Sequence, residues 1–370
     1  MSNLQLFAIG VGSLCVICGI LAVLLVIADR YLNDYGECKI KINDGDEELT
    51  VNGGSSVLTT LKDEGLFIPS ACGGRGSCGM CKLKIDAGAP QVLPTEEPHL
   101  SKEEMADNVR ICCQIKVRED MEIRVPEELF NIKEYEGSVE SITDLNHDIK
   151  LLRLALPEGE ELNLIPGQYV QLQAPKYKGN PEPVYRAYSV ASDPLDKTHV
   201  DLCIRLVPNG ICTTYVFDHM KEGAPAVFNG PYGDFKLSET DKDMVFIAGG
   251  SGMAPFLSML AHMKNEGITR KVTYFFGARA KRDLICMDEM KAFEEAIPGF
   301  TFVPCLSEAD PNDNWEGETG LVTTVMEKFF DDLSDKEGYL CGSPGMIDAS
   351  VVALTGRGMK EENIFYDKFA

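Results

Sequence analysis

The sequence predicts a multidomain chain: an N-terminal transmembrane helix, a small β-grasp domain, an antiparallel β-barrel and an α/β domain built on a parallel sheet. Three observations predict this order. No charged residue occurs from Leu4 to Ala28; Cys72, Cys78 and Cys81 share one glycine-rich loop; and beyond Asp243 apolar strand patterns alternate with helical ones. A chain of 370 residues has room for roughly two or three domains of ordinary size. Its 58 acidic and 35 basic residues leave a formal charge of −23, which argues against nucleic acid as a partner and keeps the soluble parts dispersed. Thirteen cysteines at irregular positions point to a reducing compartment.

As a helix, the uncharged run spans roughly 37 Å, enough for a hydrocarbon core of about 30 Å. A cleaved signal peptide would carry a basic leading region and a shorter apolar core, and neither is present. Arg30 follows the run and no Lys or Arg precedes it, so a single pass through the inner membrane leaves the remaining domains facing the cytoplasm. Cys15 and Cys18 share a helical face, where packing or lipid contact accounts for them.

Cys38 to Ile42 and Leu49 to Asn52 alternate as two strands around Asp44-Gly45, a hairpin signal. Ser55 or Ser56 caps a helix that stops at Gly65, and Ser101 with Glu104 forms a capping box. Lys82 to Ile85, Arg110 to Val117 and Met121 to Val125 complete the strands of the second domain, which runs from 33 to 130 after the anchor at 1–32. From 131 to 240 the runs Gly137–Ile142, Lys150–Leu156, Gln168–Gln173, Tyr185–Ala191 and Val200–Val207 suit an antiparallel barrel, followed by a helix from about Thr213 to Gly223. From 241 to 370, strands beginning at Met244, Val272, Phe300 and Tyr339 alternate with helices, which implies a parallel sheet covered on both faces.

The cysteine loop reads Cys72-Gly-Gly-Arg-Gly-Ser-Cys78-Gly-Met-Cys81. Glycines let a backbone fold closely around a metal cluster and turn its N–H groups toward the sulfur atoms. Cys113 is the natural fourth ligand; Cys112 points to the opposite face if Arg110 to Val117 is a strand. The first gap holds five residues where plant-type domains have four, so the match is to the wider class of 2Fe-2S domains. A structural zinc site and four unrelated buried cysteines are the alternatives, although zinc sites favour paired short spacings.

In the barrel, Arg186-Ala-Tyr188-Ser189 presents a guanidinium, an aromatic face and a hydroxyl, the groups a flavin nucleotide needs. A solvated arginine beside a packed tyrosine is the plainer reading. Gly210, Thr213 and Thr214 at a helix start can offer N–H groups and hydroxyls to a pyrophosphate. Gly249-Gly250-Ser-Gly252-Met-Ala-Pro255 follows an apolar strand and opens a helix, where a dinucleotide phosphate would sit. It departs from the Rossmann fingerprint, because Pro255 stands at the third glycine and no acid ends the next strand. Cys341-Gly342 ends a later strand on the same carboxyl edge.

Taken in order, these motifs resemble the ferredoxin-NAD(P)H reductase superfamily fused to a ferredoxin. With the N-terminal helix they are similar to the NADH-oxidising members of that superfamily found in sodium-translocating NADH:quinone oxidoreductases. Gly277-Ala-Arg-Ala-Lys-Arg282, Asp313-Asn-Trp315 and Asn363-Ile-Phe-Tyr-Asp-Lys-Phe369 carry the same likeness, while the terminal Phe369-Ala370 departs from the glycines expected after the phenylalanine. The resemblance implies that Arg186, Tyr188 and Ser189 hold FAD, with Ser189 near its N5 and Phe369 over its other face. It implies that Gly250 and Gly252 approach the NADH pyrophosphate, that Cys341 stands near the nicotinamide, and that Cys72, Cys78, Cys81 and Cys113 hold the cluster.

It further implies an enzyme that carries electrons from NADH through FAD and the cluster to another component of a membrane complex. Quinone would be the final acceptor and sodium-ion export the coupled work. A flavin between nicotinamide and cluster is chemically required, because a hydride brings two electrons and the cluster takes one. A reductase serving a monooxygenase or another redox complex, and an electron carrier without activity, are the alternatives. Arg279, Lys281 and Arg282 form a basic group that reads as a 2′-phosphate site for NADPH, as side chains solvated or paired with Asp283 or Glu289, or as charges placed to meet the pyrophosphate rather than the ribose; the resemblance implies NADH.

Overall fold

The computed structural model describes residues 3–32 and 35–369, and the side chains of the first helix, α1 (Asn3–Leu32), over 11–26. The two ends of the expected membrane span and the terminal Ala370 lie outside the described side chains. Among the described residues no helix is long and apolar enough to cross a membrane. Over 11–26 the large apolar side chains stand exposed, from 45% at Val11 to 70% at Val26. The chain divides into two compact units, Met1–Ile68 with Gly74–Asn131, and Pro69–Gly73 with Ile132–Ala370.

In the first unit β1 (Glu37–Ile42), β2 (Glu47–Asn52), β3 (Lys82–Ala87), β4 (Val109–Ile111) and β5 (Met121–Arg124) pair in the order β2-β1-β5-β3-β4. Cys38, Ile40 and Ile42 turn inward from β1 and their neighbours outward, the period of two that one buried face demands. Helix α2 (Val57–Asp63) is capped by Ser56, whose hydroxyl accepts from the Thr59 N–H at 3.1 Å. The capping box of α3 (Lys102–Ala106) forms between Ser101 and Glu104.

The strand expected from Arg110 to Val117 stops at Ile111. There the Cys112 N–H donates to the Cys81 carbonyl at 2.8 Å, and the Gln114 N–H closes a turn on the Ile111 carbonyl at 2.8 Å. Cys112 and Cys113 therefore part at a turn and not across a strand: Cys112 is fully buried in the core, while Cys113 is half-buried at its margin.

The second unit begins with an antiparallel barrel of β6 (Lys133–Asp144), β7 (Ile149–Ala155), β8 (Tyr169–Ala174), β9 (Val184–Ser189), β10 (His199–Arg205) and β11 (Pro225–Tyr232), ordered β10-β7-β6-β11-β8-β9. A bridge between Val190 and Leu202 joins the two outer strands and closes it. Strand β11 escapes the sequence pattern because its Gly230-Pro231 reads as a turn. Helix α4 (Ile211–Thr214) runs into a π-turn ending at His219, so the helix expected from Thr213 to Gly223 starts and stops earlier.

Next come β12 (Met244–Gly249), α5 (Ala254–Glu266), β13 (Val272–Ala278), α6 (Met287–Ala296), β14 (Phe300–Leu306), β15 (Glu318–Thr319), α7 (Val322–Phe329), β16 (Glu337–Gly342), α8 (Pro344–Gly356) and β17 (Ile364–Lys368). All pairings in this sheet are parallel, in the order β15-β14-β13-β12-β16-β17. Phe246, Tyr274 and Tyr339 pack with α5 on one face, whereas Val245, Phe275 and Leu340 pack with Val325 and Leu354 on the other. Strand order reverses between β12 and β16, and such a switch point leaves a crevice at the carboxyl ends of the two strands.

Candidate active site and cluster loop

Cys72, buried, belongs to the second unit, and from Gly74 onward the cysteine loop belongs to the first. There it bends through glycines in the left-handed region, among them Gly76 (φ 77) and Gly79 (φ 67), a conformation that side-chain-bearing residues rarely adopt. Cys81 is fully buried and Cys78 half-buried. The thiols of Cys81 and Cys113 are in contact, and that contact together with burial holds Cys81 well above the ordinary thiol range. The Gln114 amide donates to the Cys113 sulfur at 3.4 Å. A two-iron cluster takes four thiolates, and a touching pair suits two of them. Among the described residues, no group of three or more His, Cys, Asp or Glu side chains is poised around a single metal ion.

A buried ion pair, which sequence reasoning missed, stands behind β4. Arg110 and Glu96 meet at 2.6 Å with side-chain exposures of 5% and 0%. The Glu96 carboxylate also accepts from the N–H groups of Leu93 at 3.0 Å and Ile111 at 2.9 Å. Burial alone would raise its pKa; Arg110 and the two amides more than offset this and hold it below the ordinary 4.5. Charges fourteen residues apart leave no local signature in a sequence, so only the fold reveals the pair.

In the second unit the Gly249 to Gly252 turn leaves β12 at the switch point. Gly252 has no room for a side chain, since a Cβ there would lie 2.3 Å from the Cys341 carbonyl oxygen. Pro255 sits in the first turn of α5 behind it, where its missing N–H costs nothing. A cavity of about 450 Å³ opens above the turn, lined among others by Gly249, Gly250, Arg279, Met346 and Phe369. The Phe369 N–H donates to the Gly342 carbonyl at 3.0 Å, which fixes the C-terminal aromatic at the cavity.

The barrel contributes to this cavity through residues that sequence reasoning missed. Arg205, at the end of β10, donates to Asp148 at 2.8 Å and carries its guanidinium over Gly250, 3.3 Å from where a Cβ would stand. Asn146 accepts from the N–H groups of Asp148 and Ile149 and donates to the Asp283 carbonyl at 3.2 Å. Of the basic group, Lys281 is committed to the Asp313 carbonyl at 2.8 Å, and Arg282 stands 4.0 Å from Asp283 with 80% exposure. Arg279 alone of the three lines the cavity.

Ser189, at the end of β9, is buried and donates to Asp367 Oδ2 at 3.0 Å. Asp367, on β17, faces Cys341 across the register of β16 and β17. Burial raises the Asp367 carboxyl above its ordinary value, with Ser189 opposing. Cys341 is fully buried and its thiol is pushed well up, by burial first and by Asp367 second. Arg186 and Tyr188 share one side of β9; Arg186 donates to the Tyr185 carbonyl at 2.7 Å, and burial pushes the Tyr188 hydroxyl up.

Thr213 turns its hydroxyl into its own loop, accepting from the Val207 N–H at 3.2 Å, and Gly210 caps α4. Thr214 is half-buried. The residues that sequence reasoning picked out thus gather in two places on this unit, Arg186 to Ser189 with α4 on the barrel and Gly249 to Pro255 with Cys341, Gly342 and Phe369 at the sheet edge.

Comparison with known proteins follows the same division. Residues 40–118 match the 2Fe-2S iron-sulfur cluster binding domain, 136–237 the oxidoreductase FAD-binding domain, and 246–351 the oxidoreductase NAD-binding domain. The F subunit of the Na(+)-translocating NADH-quinone reductase of Neisseria meningitidis is 36% identical over 98% of this chain and 98% of its own. The chain belongs to that family.

Among solved structures, the cytochrome P450 reductase GcoB of Amycolatopsis superposes with a TM-score of 0.72 at 28% identity, covering 90% of this chain and 98% of that one. The ferredoxin reductase of carbazole 1,9a-dioxygenase follows with a TM-score of 0.69 at 26% identity, covering 90% and 99%. As a member of the Na(+)-translocating NADH-quinone reductase family, the chain joins cluster-, FAD- and NAD-binding domains in one oxidoreductase polypeptide.

Proposed function

We propose that this chain is the membrane-anchored, NADH-oxidising component of a larger redox complex, passing electrons from NADH through FAD and a 2Fe-2S cluster to a cofactor on another subunit. Quinone is the final acceptor and sodium-ion translocation the coupled work, as the names of its relatives imply. The observation that carries this reading is the meeting of the Gly249 to Gly252 turn, Cys341, Phe369 and the Ser189–Asp367 pair at one sheet edge. FAD held by the barrel would supply the conversion of a hydride's electron pair into single electrons that a cluster can accept.

The protein's own part is binding and orientation. Gly250 and Gly252 admit the NADH pyrophosphate, and Arg205 adds positive charge beside them. Arg186, Tyr188, Gly210, Thr213 and Thr214 hold FAD. Cys341 stands near the nicotinamide, and Phe369 closes its pocket. Ser189 donates its hydroxyl hydrogen bond to Asp367 Oδ2, and burial raises that carboxyl above its ordinary value. Cys72, Cys78, Cys81 and Cys113 hold the cluster, and Cys112 does not.

The anchor is 1–32, the cluster domain 33–130, the FAD barrel 131–240 and the NAD domain 241–370. Support for a single membrane pass, with those domains in the cytoplasm, comes from the uncharged run of α1 and its exposed apolar side chains over 11–26. That helix also speaks against a soluble reductase for a monooxygenase, which has no use for an exposed apolar rod. Lys281 is bonded to the Asp313 carbonyl and Arg279 lines the cavity; the names of the relatives support NADH over NADPH.

Carbonate-washed membranes and ferricyanide assays test both halves of this reading. The chain is expected to stay with the membrane and to show a higher kcat/KM for NADH than for NADPH. Release by carbonate contradicts the anchor, and a clear NADPH preference contradicts the cofactor assignment.

A further inference from the structure

The cysteine loop is held from outside by two side chains that are not ligands. His99 Nε2 lies 2.8 Å from the Gly76 carbonyl oxygen, which is an acceptor only, so the imidazole donates. Its ring also fills the space beside Gly79, where a Cβ would come within 2.8 Å of His99 Cβ and 2.9 Å of its Nδ1. Gln114 occupies the space beside Gly76, where a Cβ would lie 2.4 Å from Nε2, and the same Nε2 donates to the Cys113 sulfur at 3.4 Å.

Both braces are anchored in the core. His99 ends the 3-10 turn Glu97–His99, which follows directly on buried Glu96, and Glu96 grips Arg110 three residues before Cys113. The Arg110–Glu96 pair therefore ties the segment that carries His99 to the strand that leads into Cys113 and Gln114.

We propose that His99 and Gln114 are positioning residues for the cluster: His99 fixes the loop between Gly76 and Gly79, and Gln114 raises the cluster's reduction potential through its N–H···S bond to Cys113. This rests on the reading that Cys72, Cys78, Cys81 and Cys113 hold a 2Fe-2S cluster. Reduction adds negative charge that is shared by the ligand sulfurs, so a donor aimed at one of them stabilises the reduced form more than the oxidised form. His99 makes no bond to sulfur, so its contribution is to retention of the cluster and not to its potential.

Potentiometric titration of the full chain, followed by the electron paramagnetic resonance signal of the reduced cluster, separates the two roles. Gln114→Leu removes the donor at similar bulk; the equilibrium constant for cluster reduction is expected to fall about tenfold, a midpoint about 59 mV more negative. Gln114→Glu, which replaces the amide nitrogen by a carboxylate oxygen, moves the midpoint the same way and serves if the leucine variant assembles no cluster.

His99→Ala is expected to keep the midpoint but to lose its cluster to a chelator roughly tenfold faster, with His99→Gln restoring much of the retention. Unmoved midpoints in both Gln114 variants, or wild-type retention in His99→Ala, overturn the respective assignment. A wild-type protein without a cluster signal overturns the ligand reading beneath it instead.

Discussion

The cysteine loop and the nucleotide turn are both glycine-rich, yet the two units use their glycines for different ends. In the loop the chain itself bends through left-handed residues, and side chains from outside, His99 and Gln114, hold the result. In the turn, rigid parallel strands fix the backbone, and Gly252 is glycine because the Cys341 carbonyl leaves no space for a Cβ. The loop should therefore be sensitive to its braces, and the turn to its own bulk.

The largest expected effect falls on the braced side. Glu96→Ala leaves Arg110 buried and uncompensated, which costs roughly 3–5 kcal/mol; urea unfolding followed by the cluster's absorbance should move to lower denaturant while flavin content is kept. Because the folded-state pKa of Glu96 is depressed below 4.5, its contribution is complete above that value and is lost as pH falls through the folded-state value. Glu96→Gln should accordingly flatten the acid limb of stability against pH. A wild-type unfolding curve in Glu96→Ala would erase the contrast between the units.

Next in size, Gly252→Ala forces backbone apart at the switch point, at about 1–3 kcal/mol, and should abolish tight NADH binding measured by calorimetry. Were the variant to bind normally, the turn would have slack that the comparison denies it. A smaller effect is expected of Arg205→Ala, which removes one charge-assisted contact: KM for NADH should rise about tenfold with kcat little changed. Ser189→Ala should slow flavin reduction in stopped flow by a comparable or smaller factor while NADH affinity holds, since its hydroxyl serves Asp367 and not the nucleotide.

The same contrast explains what was legible in the sequence. Cys72, Cys78 and Cys81 stand within one short loop, and Gly249 to Pro255 within one turn, so spacing alone announced them. The alternation of the parallel sheet was equally plain, because Val245 and Phe246 point to opposite buried faces. What escaped were partners brought together by the fold: Asp367 to Ser189 across 178 residues, Arg205 to Asp148 across 57, and Arg110 to Glu96 across 14. The strand assumed through Cys112 and Cys113 failed because β-branched and apolar residues flank a turn that only the Gln114 to Ile111 hydrogen bond reveals.

The central claim is that electrons enter at the flavin and leave through the cluster, and rapid mixing of NADH with wild-type and Cys113→Ala chains tests it most directly. The wild type is predicted to bleach its flavin first and its cluster afterwards. Cys113→Ala is predicted to reduce its flavin at the wild-type rate with no cluster signal at all. A cluster signal that persists in Cys113→Ala, or flavin that NADH fails to reduce in the wild type, would contradict the account.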